Sequence, residues 1–207
     1  MSANGLEAVR STLGEGLPAP HIVGLGGTTR QDSSTERALA AALSAAAAAG
    51  ATTTLLGAAD LDLPLYAPER PGRDPRAVRL VDEIRRADGV ILASPGYHGS
   101  MSGLVKNAID YFEDLRDDAR PYLDGRSVGC IVCAYGWQAS VTTLQAMRAT
   151  VHALRGWPTP LGVSINSAEP VFGPDGTVVD LDAAARLAML GTQVVRFAHV
   201  HAAAAAR

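Results

Sequence analysis

Three short segments concentrate the residue types that could do chemistry. The first, Gly26-Gly27-Thr28-Thr29-Arg30-Gln31-Asp32-Ser33-Ser34-Thr35, runs from an apolar stretch into a helical one. A helix start presents free backbone N–H groups and the positive end of its dipole, which suits an anion. Hydroxyl side chains beside Arg30 could satisfy a terminal phosphate dianion. An ordinary helix cap beside a solvated arginine explains the same residues, since Ser and Thr are common caps. A dinucleotide fingerprint fails: Gly24 and Gly26 have the spacing, but Thr29 stands at the third glycine position and no acidic residue closes the second strand at Leu55 and Leu56. The Gly-Lys-Ser/Thr ending of a triphosphate loop is also absent, so a mononucleotide phosphate fits best.

The second segment, Ser94-Pro95-Gly96-Tyr97-His98-Gly99-Ser100-Met101-Ser102-Gly103, places an aromatic and an imidazole among turn residues. Its backbone could line the edge of a flat heterocycle while Tyr97 covers the side; the plainer alternative is a surface turn with a packed tyrosine. In the helix that follows, Leu104, Ala108 and Tyr111 share one side, read here as a subunit interface. The third segment, Ala134-Tyr135-Gly136-Trp137-Gln138-Ala139-Ser140, offers further backbone donors and two aromatics. Trp137 suits cofactor stacking, the core or a dimer contact equally.

These segments need a scaffold that brings them together, and the rest of the chain supplies one. Short apolar runs at 21–25, 52–56, 89–94, 127–134 and 161–165 alternate with helical patterns at 33–49, 75–87, 104–116, 139–154 and 181–205. Residues 89–94 show no polar alternation, as in a central strand buried on both faces. The pattern predicts an α/β fold with five parallel strands and helices on both faces, with ligands at the carboxyl ends of the strands. All three segments leave such ends. A Pro-rich loop follows the second strand, and residues 171–179 carry a turn at Pro174, Asp175 and Gly176.

Composition narrows the function classes. Of 207 residues 47% are hydrophobic, two are cysteines, and the formal charge is −3, values of a globular domain without a disulfide framework. No field of this size holds a nucleic acid or an anionic membrane. The alanine runs at 38–49 and 202–206 are too short and weakly apolar to span a bilayer. Residues 1–20 form an N-terminal extension before a single domain at 21–207; Glu7 and Arg10 interrupt any secretory core, and a cytoplasmic location is expected. The extension could instead be a short helix or strap against a partner subunit.

Gly27-Thr28-Thr29-Arg30-Gln31-Asp32-Ser33 and Pro95-Gly96-Tyr97-His98-Gly99-Ser100-Met101-Ser102-Gly103-Leu104-Val105-Lys106-Asn107-Ala108-Ile109-Asp110 resemble the phosphate loop, and the Pro-x-Tyr loop with its Lys-Asn-Ala-x-Asp helix, of the NADPH-dependent FMN reductase family. The resemblance implies a flavodoxin-like fold with strand order 2-1-3-4-5. It implies that Thr28, Arg30, Ser33 and Thr35, with Ser34 nearby, hold the FMN phosphate. By the same resemblance Pro95, Gly96, Tyr97, His98 and Gly99 border the isoalloxazine, and Tyr135, Gly136 and Trp137 approach its pyrimidine edge. Two positions depart from the family: Gly96 replaces a frequent acidic residue, and Trp137 interrupts a glycine-richer loop.

The implied activity is ping-pong hydride transfer from NADPH or NADH through FMN to a small acceptor (quinone, azo compound or metal oxyanion), or delivery of reduced flavin to a monooxygenase. The cofactor carries the chemistry, so no catalytic side chain is assigned, and His98 is read as a loop histidine bonded to ribityl or solvent. A flavodoxin-like single-electron carrier and a nucleotide-binding module without redox activity are the competing readings. A homodimer or dimer of dimers is expected, and Arg70, Arg73 or Arg76 could contact a 2′-phosphate. Cys130 and Cys133, three apart in a strand, point to opposite faces about 10 Å apart and cannot pair. The charges from Glu113 to Arg120 are read as a solvated helix end.

Overall fold

The computed structural model describes residues 18–205; most of the N-terminal extension lies outside them. Chain order is β1 (His21–Gly26), α1 (Ser34–Ala48), β2 (Thr52–Leu56), α2 (Ala58–Leu61), α3 (Pro75–Arg86), β3 (Gly89–Tyr97), β4 (Ser100–Met101) and α4 (Gly103–Asp110). A 3₁₀ turn at Tyr111–Leu115 leads to β5 (Ser127–Ala134), α5 (Trp137–Ala153), β6 (Trp157–Pro158), β7 (Val163–Asn166) and α6 (Leu181–Ala205).

The parallel sheet runs β2-β1-β3-β5-β6, with β7 also pairing β5. This is the expected flavodoxin-like order 2-1-3-4-5, except that two short strands share the fifth position. Trp157 pairs with Ser127 at one end of β5, and Val163 with Ile131 nearer the other. Pro158 and Pro160 have no N–H to give a ladder, and between them Thr159 Oγ1 donates to the Leu161 carbonyl at 2.7 Å. The strand expected at 161–165 is found as β7 at Val163–Asn166, and β6 is an additional two-residue strand ahead of it.

Side-chain alternation divides the core between the two sheet faces. Val90 and Leu92 of β3 join α3, α4 and α5 on one side, whereas Ile91 and Ala93 join α1 and α6 on the other. Cys130 belongs to the first layer and Cys133 to the second; both are free thiols, as their spacing predicts. The alanine run of α1 serves helix packing. A Cβ on Gly191 of α6 would lie 2.3 Å from the Ala42 carbonyl oxygen, so only small residues permit this crossing. Among the described residues no helix is long and apolar enough to cross a membrane.

The interface expected on α4 is a correction. Ala108 and Tyr111 are buried in the chain's own core and Leu104 packs against it. The Pro-rich loop covers this side: Asn107 Nδ2 donates to the Pro64 carbonyl at 3.0 Å, Tyr66 N–H to Asn107 Oδ1 at 2.8 Å, and Tyr111 Oη–H to the Pro64 carbonyl at 2.9 Å. The following charged run is not simply solvated either. Asp114 accepts two bonds from Arg73, at 2.7 and 2.8 Å, and Asp118 one from Arg85 at 2.8 Å. The Arg73 guanidinium also lies over the rings of Tyr66 and Tyr111.

Arg126 is fully buried and has no carboxylate partner among the described residues. Its guanidinium donates to main-chain carbonyls of Arg85 and Ala87 at the end of α3, and to those of Arg120, Tyr122 and Asp124. Burial pushes its pKa down to about 10, so it remains protonated at neutral pH.

Candidate functional site

The loops leaving β1, β3 and β5 stand at adjacent carboxyl ends, because these strands are neighbours in the sheet. Gly26 ends β1 so close to β3 that a Cβ there would be 2.0 Å from the Ala93 carbonyl oxygen; Gly27 N–H donates to that same oxygen at 3.3 Å. The turn then closes on itself. Thr28 Oγ1 accepts the Arg30 N–H at 3.1 Å, while the Arg30 guanidinium has no partner among the described residues. Asp32 adopts a left-handed conformation (φ 53°), and Ser33 caps α1 with Oγ accepting from Glu36 N–H. Glu36 reaches back to accept the Asp32 N–H at 3.1 Å. Ser34 is half-buried. Thr35 is buried and hydrogen-bonds the Cys133 side chain. Thus the Arg30 guanidinium and Ser34 are open to a ligand, whereas Thr28, whose hydroxyl also donates to the Arg30 carbonyl at 3.1 Å, Ser33 and Thr35 already have partners within the chain.

The second loop is a β-hairpin. Gly96 pairs with Met101 and Tyr97 with Ser100, leaving a two-residue turn of His98 and Gly99. Both turn residues have positive φ, 53° and 81°, the signature of a type I′ turn whose twist matches the flanking strands. Buried Ser94 anchors its base, accepting Ser102 N–H and donating to the Pro95 carbonyl, both at 2.9 Å. Gly96 has a local steric reason. A Cβ there would lie 2.9 Å from Ala134 Cβ and 3.1 Å from Thr143 Oγ1, which explains why this chain lacks the family's acidic side chain.

The third loop turns at Gly136 (φ 95°) and enters α5 at Trp137, two residues earlier than the sequence predicts. Asn166, just past the fifth-strand core, holds it by accepting Gly136 N–H on Oδ1 at 3.0 Å. Among the described residues no side chain caps α5, which leaves its first-turn N–H groups without a capping side chain. His98, Tyr135, Trp137, Gln138, Ala139 and Thr142 line an open cleft of about 670 Å³ between hairpin and helix. That volume falls within the roughly 300–1,000 Å³ of small-molecule sites. Tyr97, Tyr135 and Trp137 are 54%, 82% and 52% exposed, a rim of aromatic surface. Beneath it Thr143 Oγ1 is buried and lacks a hydrogen bond among the described residues. An uncapped helix, an orphaned hydroxyl and aromatic walls fit a planar polar heterocycle, with the β1 loop a strand away for its phosphate.

The sequence match decides the family. The model describing "NADPH-dependent FMN reductase" fits residues 20–170, which include all three loops. The chain belongs to that family. Among relatives of this FMN reductase family, an "NADPH azoreductase" of Bacillus sp. (strain OY1-2) is 35% identical over 91 residues, covering 44% of this chain and 48% of the relative. A "Quinone reductase" of Escherichia coli (strain K12) is 31% identical over 122 residues, covering 54% and 62% respectively. The matched segments thus span about half to three fifths of these relatives. The fold agrees with the flavoenzyme NAD(P)H:(acceptor) oxidoreductase FerB from Paracoccus denitrificans, with a TM-score of 0.70 at 22% identity over 88% of this chain and 99% of that one.

Asn166 and Thr142 escaped the sequence reading, and Gln138 lay in the third segment without a role assigned to it. Gln138 and Thr142 share a helix face by their i, i+4 spacing once the helix is started at Trp137, so the misplaced boundary concealed them. Two of the three arginines considered for a 2′-phosphate are engaged: Arg73 with Asp114, and Arg76 with Asp74 at 3.1 Å. Arg70 is exposed and has no partner among the described residues. The described residues contain no group of three or more potential metal ligands.

Proposed function

We propose that this protein is an NAD(P)H-dependent FMN reductase that transfers hydride by a ping-pong scheme to a small electron acceptor. The observation that carries the reading is the meeting of the three family-matched loops at adjacent strand ends, around a cleft of ligand size. When bound, FMN would supply two-electron hydride chemistry between a nicotinamide and an acceptor. The chain's own residues bind and orient. Arg30 and Ser34 receive the phosphate, with Thr28, Ser33 and Thr35 shaping the loop beneath it.

Pro95, Gly96, Tyr97, His98 and Gly99 would border the isoalloxazine, and Tyr135, Gly136 and Trp137 would approach its pyrimidine edge. The uncapped N–H groups of α5 favour negative charge developing at the ring's polar edge, a form of electrostatic preorganisation. No side chain is asked to transfer a proton. Quinones and azo compounds are the favoured acceptors, because the exposed aromatic rim suits planar molecules and the relatives are named as an azoreductase and a quinone reductase. Delivery of reduced flavin to a monooxygenase is the alternative outlet.

The protein is further proposed to act in the cytoplasm as a homodimer or dimer of dimers, with the aromatic rim at or beside the subunit contact. Light scattering at micromolar concentration should give at least twice the chain mass; a monomer would remove this assembly. The activity itself is tested by mixing FMN-loaded protein anaerobically with NADPH or NADH. Rapid two-electron bleaching is expected. Flavin binding without reduction would favour a single-electron carrier.

A further inference from the structure

The phosphate loop contains a carboxylate in an unusual place. Ser33 and Glu36 have the Ser-x-x-Glu spacing of a capping box, and Ser33 Oγ accepts Glu36 N–H as such a box requires. The reciprocal bond is displaced by one residue: Glu36 Oε2 accepts from Asp32 N–H at 3.1 Å rather than from the cap residue. Asp32 is held left-handed at the apex of the turn, so its N–H belongs to the loop. On the other side, a Cβ on Gly57 would lie only 2.4 Å from Glu36 Oε1. The absent side chain at Gly57 creates the seat that the carboxylate fills.

We propose that Glu36 is a specificity-determining residue of the phosphate loop: its carboxylate engages the Asp32 N–H and opposes a bound phosphate ester by like charge, keeping FMN exchangeable. This rests on the reading that residues 28–35 hold the FMN phosphate. A dianion at a helix start gains from the dipole and from free N–H groups; a carboxylate already there takes a share of both. Burial raises the Glu36 pKa above the usual carboxylate value; the Asp32 N–H bond works against it, and the like charges of Asp32 and Asp60 add to it. The groups facing it are Asp32 on its own loop and Asp60 on α2, the latter paired with Arg79 of α3 at 2.6 Å. Protonation of Glu36 therefore relieves the repulsion within the acidic range, and its ionised form weakens phosphate binding at neutral pH.

The test compares FMN with riboflavin, which has the same ring and no phosphate. Dissociation constants are measured by flavin fluorescence from pH 5 to 9 for the full chain and for Glu36→Gln and Glu36→Ala. At pH 8 the preference for FMN over riboflavin should rise about tenfold in Glu36→Gln, the size of a helix-terminal charge effect, and at least as much in Glu36→Ala. The wild-type and Gln curves should converge as the pH falls through the Glu36 titration. The phosphate's own second ionisation, at about pH 6, weakens the same repulsion from the other side, so the deciding comparison is the one at pH 8, where the phosphate is a dianion. Riboflavin affinity should not change. Equal weakening of both flavins would mean that Glu36 merely caps the helix, and would overturn the proposal. A strong FMN preference untouched by either substitution would overturn it while sparing the loop assignment. Equal affinity for FMN and riboflavin in every variant would overturn the loop assignment itself, and the role of Glu36 with it.

Discussion

Gly26→Ala is the substitution that couples fold to site most directly. Gly26 is the last residue of β1, and a Cβ there would sit 2.0 Å from the Ala93 carbonyl oxygen and 2.8 Å from Ala93 Cβ. An ordinary contact begins at 3.4 Å, so the two central strands must separate by about 1.4 Å at their carboxyl ends. The Gly27 N–H bond to the same carbonyl, already 3.3 Å long, cannot survive that movement. Overpacking of a close-fitted core costs about 1–3 kcal/mol, and one lost backbone bond about 1 kcal/mol more. The phosphate loop starts one residue later and moves with the strand. A displacement of about 1 Å at a binding constellation is worth about 100-fold. Urea unfolding should show about 2–4 kcal/mol of lost stability, and FMN titration about a 100-fold weaker complex. Gly103→Ala is the control: nothing lies within 4 Å of its Cβ and the position opens α4, so it should leave both quantities unchanged. Unchanged FMN affinity in Gly26→Ala would refute the claim that this strand contact positions the loop.

Three further outcomes follow from the packing. Arg126→Met removes the donor for five main-chain carbonyls and should cost about 3 kcal/mol or more by denaturant unfolding; a loss below about 1 kcal/mol would mean that water replaces it freely. His98→Asn should raise the thermal midpoint by relieving up to about 1 kcal/mol of left-handed strain, whereas His98→Val should lower it. Arg73, hydrogen-bonded to Asp114, holds that carboxyl below its usual pKa of 3.8. The stabilisation this pair contributes, about 1 kcal/mol, is therefore complete above pH 4 and lost as the pH falls through the lowered value. In Arg73→Met the extra acid-limb slope of the stability curve should be absent.

The strands were legible because their chemistry is local. Residues 89–94 lack alternation since both faces of β3 are covered, and Cys130 and Cys133 fall on opposite faces by the period of two. What escaped the sequence depends on contacts between distant segments. The apolar side of Leu104, Ala108 and Tyr111 has the periodicity of an interface and of a core face alike. Only the return of Pro64 and Tyr66 onto Asn107 and Tyr111 decides between them. The two-residue strand β6 at Trp157–Pro158, ahead of the expected fifth strand, is too short and proline-bound to carry a strand pattern. At the site, residue types identified the loops but not their internal bonds. That Ser33 caps a helix, or that a glycine at 57 makes room for a carboxylate at 36, becomes visible only once the chain is folded.

The most direct test of the account is an anaerobic spectral titration: purified protein with one equivalent of FMN, then stoichiometric NADPH, then a quinone. The account predicts flavin bound by the chain, bleached by the nicotinamide in a single two-electron phase and restored by the quinone. An absorbance spectrum of free FMN that NADPH does not bleach would contradict it, leaving the family's fold without the family's chemistry.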